Sequence, residues 1–142
     1  MENLNSIVFY TIDKAIKSYR QFAQKQLKDA GFNLTIDQWL VLKALEQDCN
    51  APQQQIAATV FKDVASITRI IELLVQKGYL IREFHSEDRR RFKITLTDMG
   101  NEVLKKMQPH IIANRNTALK GITHDEIKML QETLSKIAEN VT

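Results

Sequence analysis

The sequence predicts a mainly helical chain with one small β-hairpin, and three observations carry that prediction. Apolar residues recur at helical spacing through most of residues 4–76 and 98–137. The pattern changes only after Gly78, where Leu80–Phe84 and Phe92–Leu96 read as strands on either side of seven residues, His85 to Arg91. Capping signals, above all Thr35 with Gln38 and Thr123 with Glu126, divide the helical stretches into separate elements.

The first helix is expected from Leu4 to Leu27, with an apolar stripe that includes Ile7, Val8, Ile12, Ile16, Tyr19 and Phe22. Lys25 and Lys28 complement its C-terminal dipole, and Gly31 supplies a left-handed stop. A second helix opens at the Thr35–Gln38 box, carries Trp39, Leu40, Leu42 and Leu45, and ends near Asp48. Pro52 suits the first turn of a short third helix with Ile56, Ala57 and Val60 inward. Asp63 is placed to cap a fourth helix, and Gly78 to close it so that Tyr79 folds back onto Leu74. Ile67, Ile70, Ile71 and Leu74 form the core stripe of that helix. Ala65, Arg69, Glu72 and Gln76 then share the opposite side, with Ser66 and Thr68 on its flanks.

After the hairpin, Thr97 caps a fifth helix whose first residue, Asp98, suits the dipole. Val103, Leu104, Met107, Ile111, Ile112 and Leu119 line it as far as Gly121, and Pro109 within it predicts a kink or break. The Thr123–Glu126 box opens a last helix with Ile127, Leu130, Leu134 and Ile137 on one stripe. The expected architecture is a winged helix-turn-helix core over residues 35–97. N-terminal (1–34) and C-terminal (98–142) dimerisation helices flank it, because their apolar stripes exceed what a monomer buries.

A chain of 142 residues with 44% hydrophobic content suggests one globular domain with extensions. The formal charge of +3 is only mildly basic, so the distribution of charge says more than its sum. No run reaches the length of a membrane span, and Met-Glu-Asn-Leu-Asn lacks the pattern of a secretory signal, which points to a cytoplasmic protein. A single cysteine excludes an intrachain disulfide framework. Nothing matches a phosphate-cradling glycine loop, a nucleophile motif or a catalytic pair, so no enzymatic activity and no cofactor are expected. His85, His110 and His124 are scattered and include no i, i+4 pair, so no metal is expected.

Double-stranded DNA is the partner this arrangement suits. The outward side of the fourth helix begins with small or hydrogen-bonding residues, which lets a helix enter a major groove about 12 Å wide. The hairpin tip carries Arg89, Arg90 and Arg91, whose planar forks suit a phosphate-lined groove.

The stretches 34–42 (LTIDQWLVL), 66–71 (SITRII), 78–82 (GYLIR) and 88–97 (DRRRFKITLT) resemble the MarR family of bacterial transcription regulators, in order and over nearly the whole chain. That resemblance implies a homodimer that binds palindromic DNA, usually as a repressor released by a small ligand or by oxidation. Carried over by position, Ser66, Thr68 and Arg69, beside Ala65, lie on the recognition helix. Arg90 is the wing arginine of the minor groove, and Asp88 orients the wing; a narrow A·T-rich minor groove favours an inserted arginine. Lys62, Arg89, Arg91 and Lys93 then read as phosphate contacts. Leu73, Val75 and Arg91 depart from the family's usual residue types.

The resemblance also implies a largely apolar effector pocket near Tyr19, Phe22, Trp39 and Met107, suited to a lipophilic or aromatic compound. Two alternatives stand beside it. One is a winged helix that contacts protein and does not bind DNA; the basic wing argues against it. The other is a thiol switch at Cys49, although peroxide-sensing relatives carry their cysteine on the first helix and the neighbouring Asp48 is the wrong charge to activate a thiol.

Overall fold

The computed structural model describes residues 1–84 and 92–142. Among these residues six α-helices and two paired strands follow in the order α1 (Val8–Asp29), α2 (Ile36–Gln47), α3 (Gln53–Thr59), α4 (Val64–Gln76), β1 (Leu80–Phe84), β2 (Phe92–Leu96), α5 (Asp98–Ala118) and α6 (His124–Val141). The strands pair antiparallel, Leu80 opposite Leu96 and Phe84 opposite Phe92, so that Leu80 and Ile94 turn inward.

The N-terminus differs from the expected single helix. Leu4–Ser6 form a separate 3-10 turn, and Ile7 is extended before α1 begins. The Asn3 side chain accepts from the Asn5 N–H at 3.0 Å, and Ser6 Oγ donates to the Asn3 carbonyl at 2.6 Å. Such local side-chain bonds offer the backbone an alternative to helix. Pro52 stands one residue earlier than expected, as the extended cap before α3. Pro109 does not break α5, which runs without interruption from Asp98 to Ala118. Burial of Leu104, Met107 and Ile111 holds the helix on both sides of the proline, and the carbonyl left without its donor belongs to exposed Lys105.

The core lies where α2 crosses α4, α5 and β2. Leu27, Val41, Leu42, Leu45, Ile56, Ile67, Ile71, Leu74, Leu80 and Met107 are fully buried there. Both predicted capping boxes form, at Thr35–Gln38 and Thr123–Glu126. Gly78 closes α4 at φ 85°, with the Tyr79 N–H donating to the Leu74 carbonyl at 3.0 Å. Thr97 fastens the hairpin to α5: its Oγ1 accepts from the Gly100 N–H at 3.0 Å and donates to the Gly78 carbonyl at 2.7 Å. α6 is different, since none of its residues is buried although it carries an apolar stripe.

Candidate nucleic-acid interface

The interface starts at the turn between α3 and α4. α3 closes with two backbone bonds, Phe61 N–H to the Ala58 carbonyl at 3.4 Å and Lys62 N–H to the Ala57 carbonyl at 2.9 Å. This closure places Phe61 at φ 59°, with its side chain almost wholly exposed. Asp63 then caps α4, accepting from the Ser66 N–H at 2.7 Å and from Ser66 Oγ at 3.0 Å. These hydrogen bonds from Ser66, with the positive charge of Arg69 nearby, hold the Asp63 carboxyl below the usual aspartate range.

The outward side of α4 matches the helical wheel: Ala65, Arg69, Glu72 and Gln76 are exposed, and Ser66 and Thr68 are half-buried. Arg69 donates to Ser66 Oγ at 3.5 Å and forms no ion pair with Glu72. Thr68 Oγ1 donates to the Val64 carbonyl at 2.9 Å and accepts from Gln53 Nε2 at 3.3 Å, which links α4 to α3. The two hydroxyls are therefore oriented before any ligand arrives. Lys93 is exposed on β2, opposite Glu83 in the register. Asp88, Arg89, Arg90 and Arg91 lie outside the described residues.

Lys62 is not free in solvent. Its Nζ lies 3.2 Å from Asp37 Oδ2, while Arg20 Nη1 donates to Asp37 Oδ1 at 3.0 Å. Burial pushes the Asp37 carboxyl up, and the hydrogen-bonded Arg20 and Lys62 more than reverse that, leaving it below the usual range. Sequence reasoning missed this triad. Its members are 17 and 25 residues apart along the chain, so no local pattern announces them.

Behind the interface is a cavity of about 190 Å³ between α1, α2 and α5, lined by Ile16, Tyr19, Arg20, Ala23, Leu27, Ile36, Trp39, Leu40, Ile111 and Arg115. Tyr19 and Trp39 of the expected pocket residues lie on its wall. Phe22 and Met107 do not; Phe22 is half-buried elsewhere on α1, and Met107 is consumed by the core. Trp39 Nε1 is buried and finds no hydrogen-bond partner among the described residues. His110 packs edge-on against Phe32 at 5.1 Å, and Cys49 is an exposed free thiol just beyond α2. Among the described residues no group of three or more His, Cys, Asp or Glu side chains is arranged to hold a metal, and no helix is long and apolar enough to cross a membrane.

A family model for MarR matches residues 34–92, from the end of the α1–α2 link into β2. An HTH-type transcriptional regulator of Bacillus subtilis (strain 168), YkoM, is 32% identical over 123 residues, covering 87% of this chain and 79% of that protein. Among solved structures, a MarR/EmrR family regulator from Acinetobacter sp. ADP1 superposes with a TM-score of 0.88 at 22% identity, covering 99% of this chain and 98% of the other. BpsR of Bordetella bronchiseptica, whose DNA binding is regulated by 6-hydroxynicotinic acid, superposes at 0.87 with 22% identity and 97% of both chains covered. The outward-facing capped helix, the hairpin behind it and these matches lead to one conclusion: the chain belongs to the MarR family of winged-helix, DNA-binding transcriptional regulators and is not an enzyme.

Proposed function

We propose that this chain is a cytoplasmic repressor that binds a palindromic operator as a homodimer and leaves it when a small aromatic ligand occupies the α1–α2–α5 cavity. The observation that carries the proposal is the outward side of α4, where Ala65 and Arg69 are exposed and Ser66 and Thr68 flank them half-buried, on a helix anchored at both ends. In this reading Ser66, Thr68 and Arg69 meet base edges, Arg90 enters the minor groove with Asp88 orienting the wing, and Lys62, Arg89, Arg91 and Lys93 meet phosphates. Residues 1–34 and 98–142 form the dimer, and 35–97 read DNA. The uncovered stripe of α6 supports that division.

Release is a population shift between two dimer geometries. One matches the α4 helices to successive major grooves, and the other does not. The regulation of BpsR by a one-ring acid supports a ligand of that size. A preference of about 3 kcal/mol for the second geometry lowers operator occupancy by about two orders of magnitude.

The test is a salt titration of binding to the DNA beside the protein's own gene, with unrelated duplex of equal length as control. Selective binding with a steep salt slope is expected. A folded Arg90→Ala dimer should bind the operator more weakly, and an unchanged affinity would remove the wing from the mechanism. No binding at low salt would replace this reading with a protein-contact module.

A further inference from the structure

Asp37 joins the two halves of the proposed mechanism. Its partner Arg20 is part of the cavity wall, whereas its partner Lys62 immediately precedes the N-cap of α4. One carboxylate thus ties α1, the first turn of α2 and the turn before the recognition helix.

The cavity has a definite chemical preference. Its wall contains no acidic residue and two guanidinium groups, Arg20 and Arg115, and Arg115 belongs to no ion pair among the described residues. Trp39 adds a buried indole N–H without an acceptor. The rest of the wall is apolar or, at Tyr19, aromatic. An apolar cavity of about 150 Å³ accommodates benzene, so 190 Å³ sets the scale at a single ring with one small substituent. A one-ring carboxylate satisfies both requirements, its ring on the apolar wall and its charge on a guanidinium.

We propose that Asp37 couples the cavity to DNA by competition for its two cations: a one-ring carboxylate takes Arg20, a DNA phosphate takes Lys62, and the acid tolerates losing either but not both. The inference rests on the ligand-responsive, DNA-binding reading above and gives that reading a physical route. With DNA alone, Arg20 still neutralises Asp37. With ligand alone, Lys62 does. With both bound, a partly buried carboxylate is left unpaired, which is the costly state. Ligand and DNA therefore oppose each other, and by linkage each weakens the other equally.

Benzoate is the probe, with benzyl alcohol as its uncharged counterpart. Trp39 is the only tryptophan in the chain and lies on the cavity wall, so its fluorescence reports occupancy without reference to DNA. Benzoate should change Trp39 emission saturably and lower operator affinity by about tenfold, within the usual range of such couplings. Benzyl alcohol should do neither at equal concentration. Asp37→Asn should still bind benzoate, yet its operator affinity should change less than twofold, while Asp37→Glu should restore the response. Arg20→Gln should bind operator about tenfold more weakly without any ligand, because Lys62 becomes the sole partner of Asp37. An Asp37→Asn protein as responsive as the wild type, or a silent Trp39 in a wild type that binds operator, would overturn the coupling alone. Failure of the wild type to select operator over unrelated duplex would overturn the regulator reading, and the coupling with it.

Discussion

Among the described residues three helix ends close with the same pair of backbone bonds, at Gly31 after α1, Phe61 after α3 and Gly78 after α4. The motif needs a left-handed residue, and glycine adopts that conformation without steric cost. Phe61 does so at φ 59° while its side chain is 94% exposed, so no burial offsets the strain. Phe61→Gly should therefore stabilise the fold by up to about 1 kcal/mol, the left-handed penalty less the added freedom of glycine when unfolded. Urea unfolding would show it as a higher midpoint at unchanged slope; a lower midpoint would mean that Phe61 has contacts that support the turn. Asp37 allows a second prediction at this scale. Its folded pKa is depressed, so its contribution to stability is full above the ordinary aspartate value of about 3.9 and is lost as pH falls through the lower folded value. Asp37→Asn should flatten part of the stability loss below pH of about 4, measured by urea midpoints across an acid series; identical acid slopes would show that the triad contributes nothing to folding.

At the scale of elements, most of the fold is legible in the sequence because its signals are local. Both capping boxes, the Asp63 cap, the Gly78 closure and the hairpin limits depend on residues within a few positions of each other. The misreadings occur where competing interactions decide. Asn3 and Ser6 divert the chain into a 3-10 turn, and burial on both sides spares α5 the break that is one of the two outcomes expected at Pro109. The packing of α5 on the hairpin turns on Gly100. A Cβ there would collide with the Tyr79 carbonyl oxygen and stand 2.9 Å from Leu96 Cδ2. Backbone cannot give way as a flexible side chain can, so Gly100→Ala should cost at least about 1–3 kcal/mol, the usual penalty for overpacking. A thermal unfolding midpoint equal to that of the wild type would show that α5 moves away from Tyr79 and Leu96 more readily than this geometry implies.

At the scale of the whole molecule, α6 leaves Met129 and Leu130 exposed, and the N-terminal segment exposes Leu4, Val8 and Phe9. Burying a leucine is worth about 1.5–3 kcal/mol, and a two-fold symmetric interface counts it twice. Leu130→Glu should thus raise the dimer dissociation constant by at least two orders of magnitude. Light scattering across a dilution series should show a dimer for the wild type and a monomer for the variant. A wild type monomeric at every concentration would leave the α6 stripe without its proposed partner.

What the amino-acid sequence determined by itself was the set of elements, their caps, the inward stripes and the outward side of α4, because periodicity and capping act over a few residues. Family resemblance added the roles proposed for the wing residues. Only the tertiary structure decided which residues meet across elements. It placed Met107 in the core and not on a cavity, brought Tyr19 and Trp39 together with Arg20 and Arg115, and joined Arg20, Asp37 and Lys62 through one carboxylate. Those outcomes depend on the angles at which helices cross, and packing between distant side chains sets those angles.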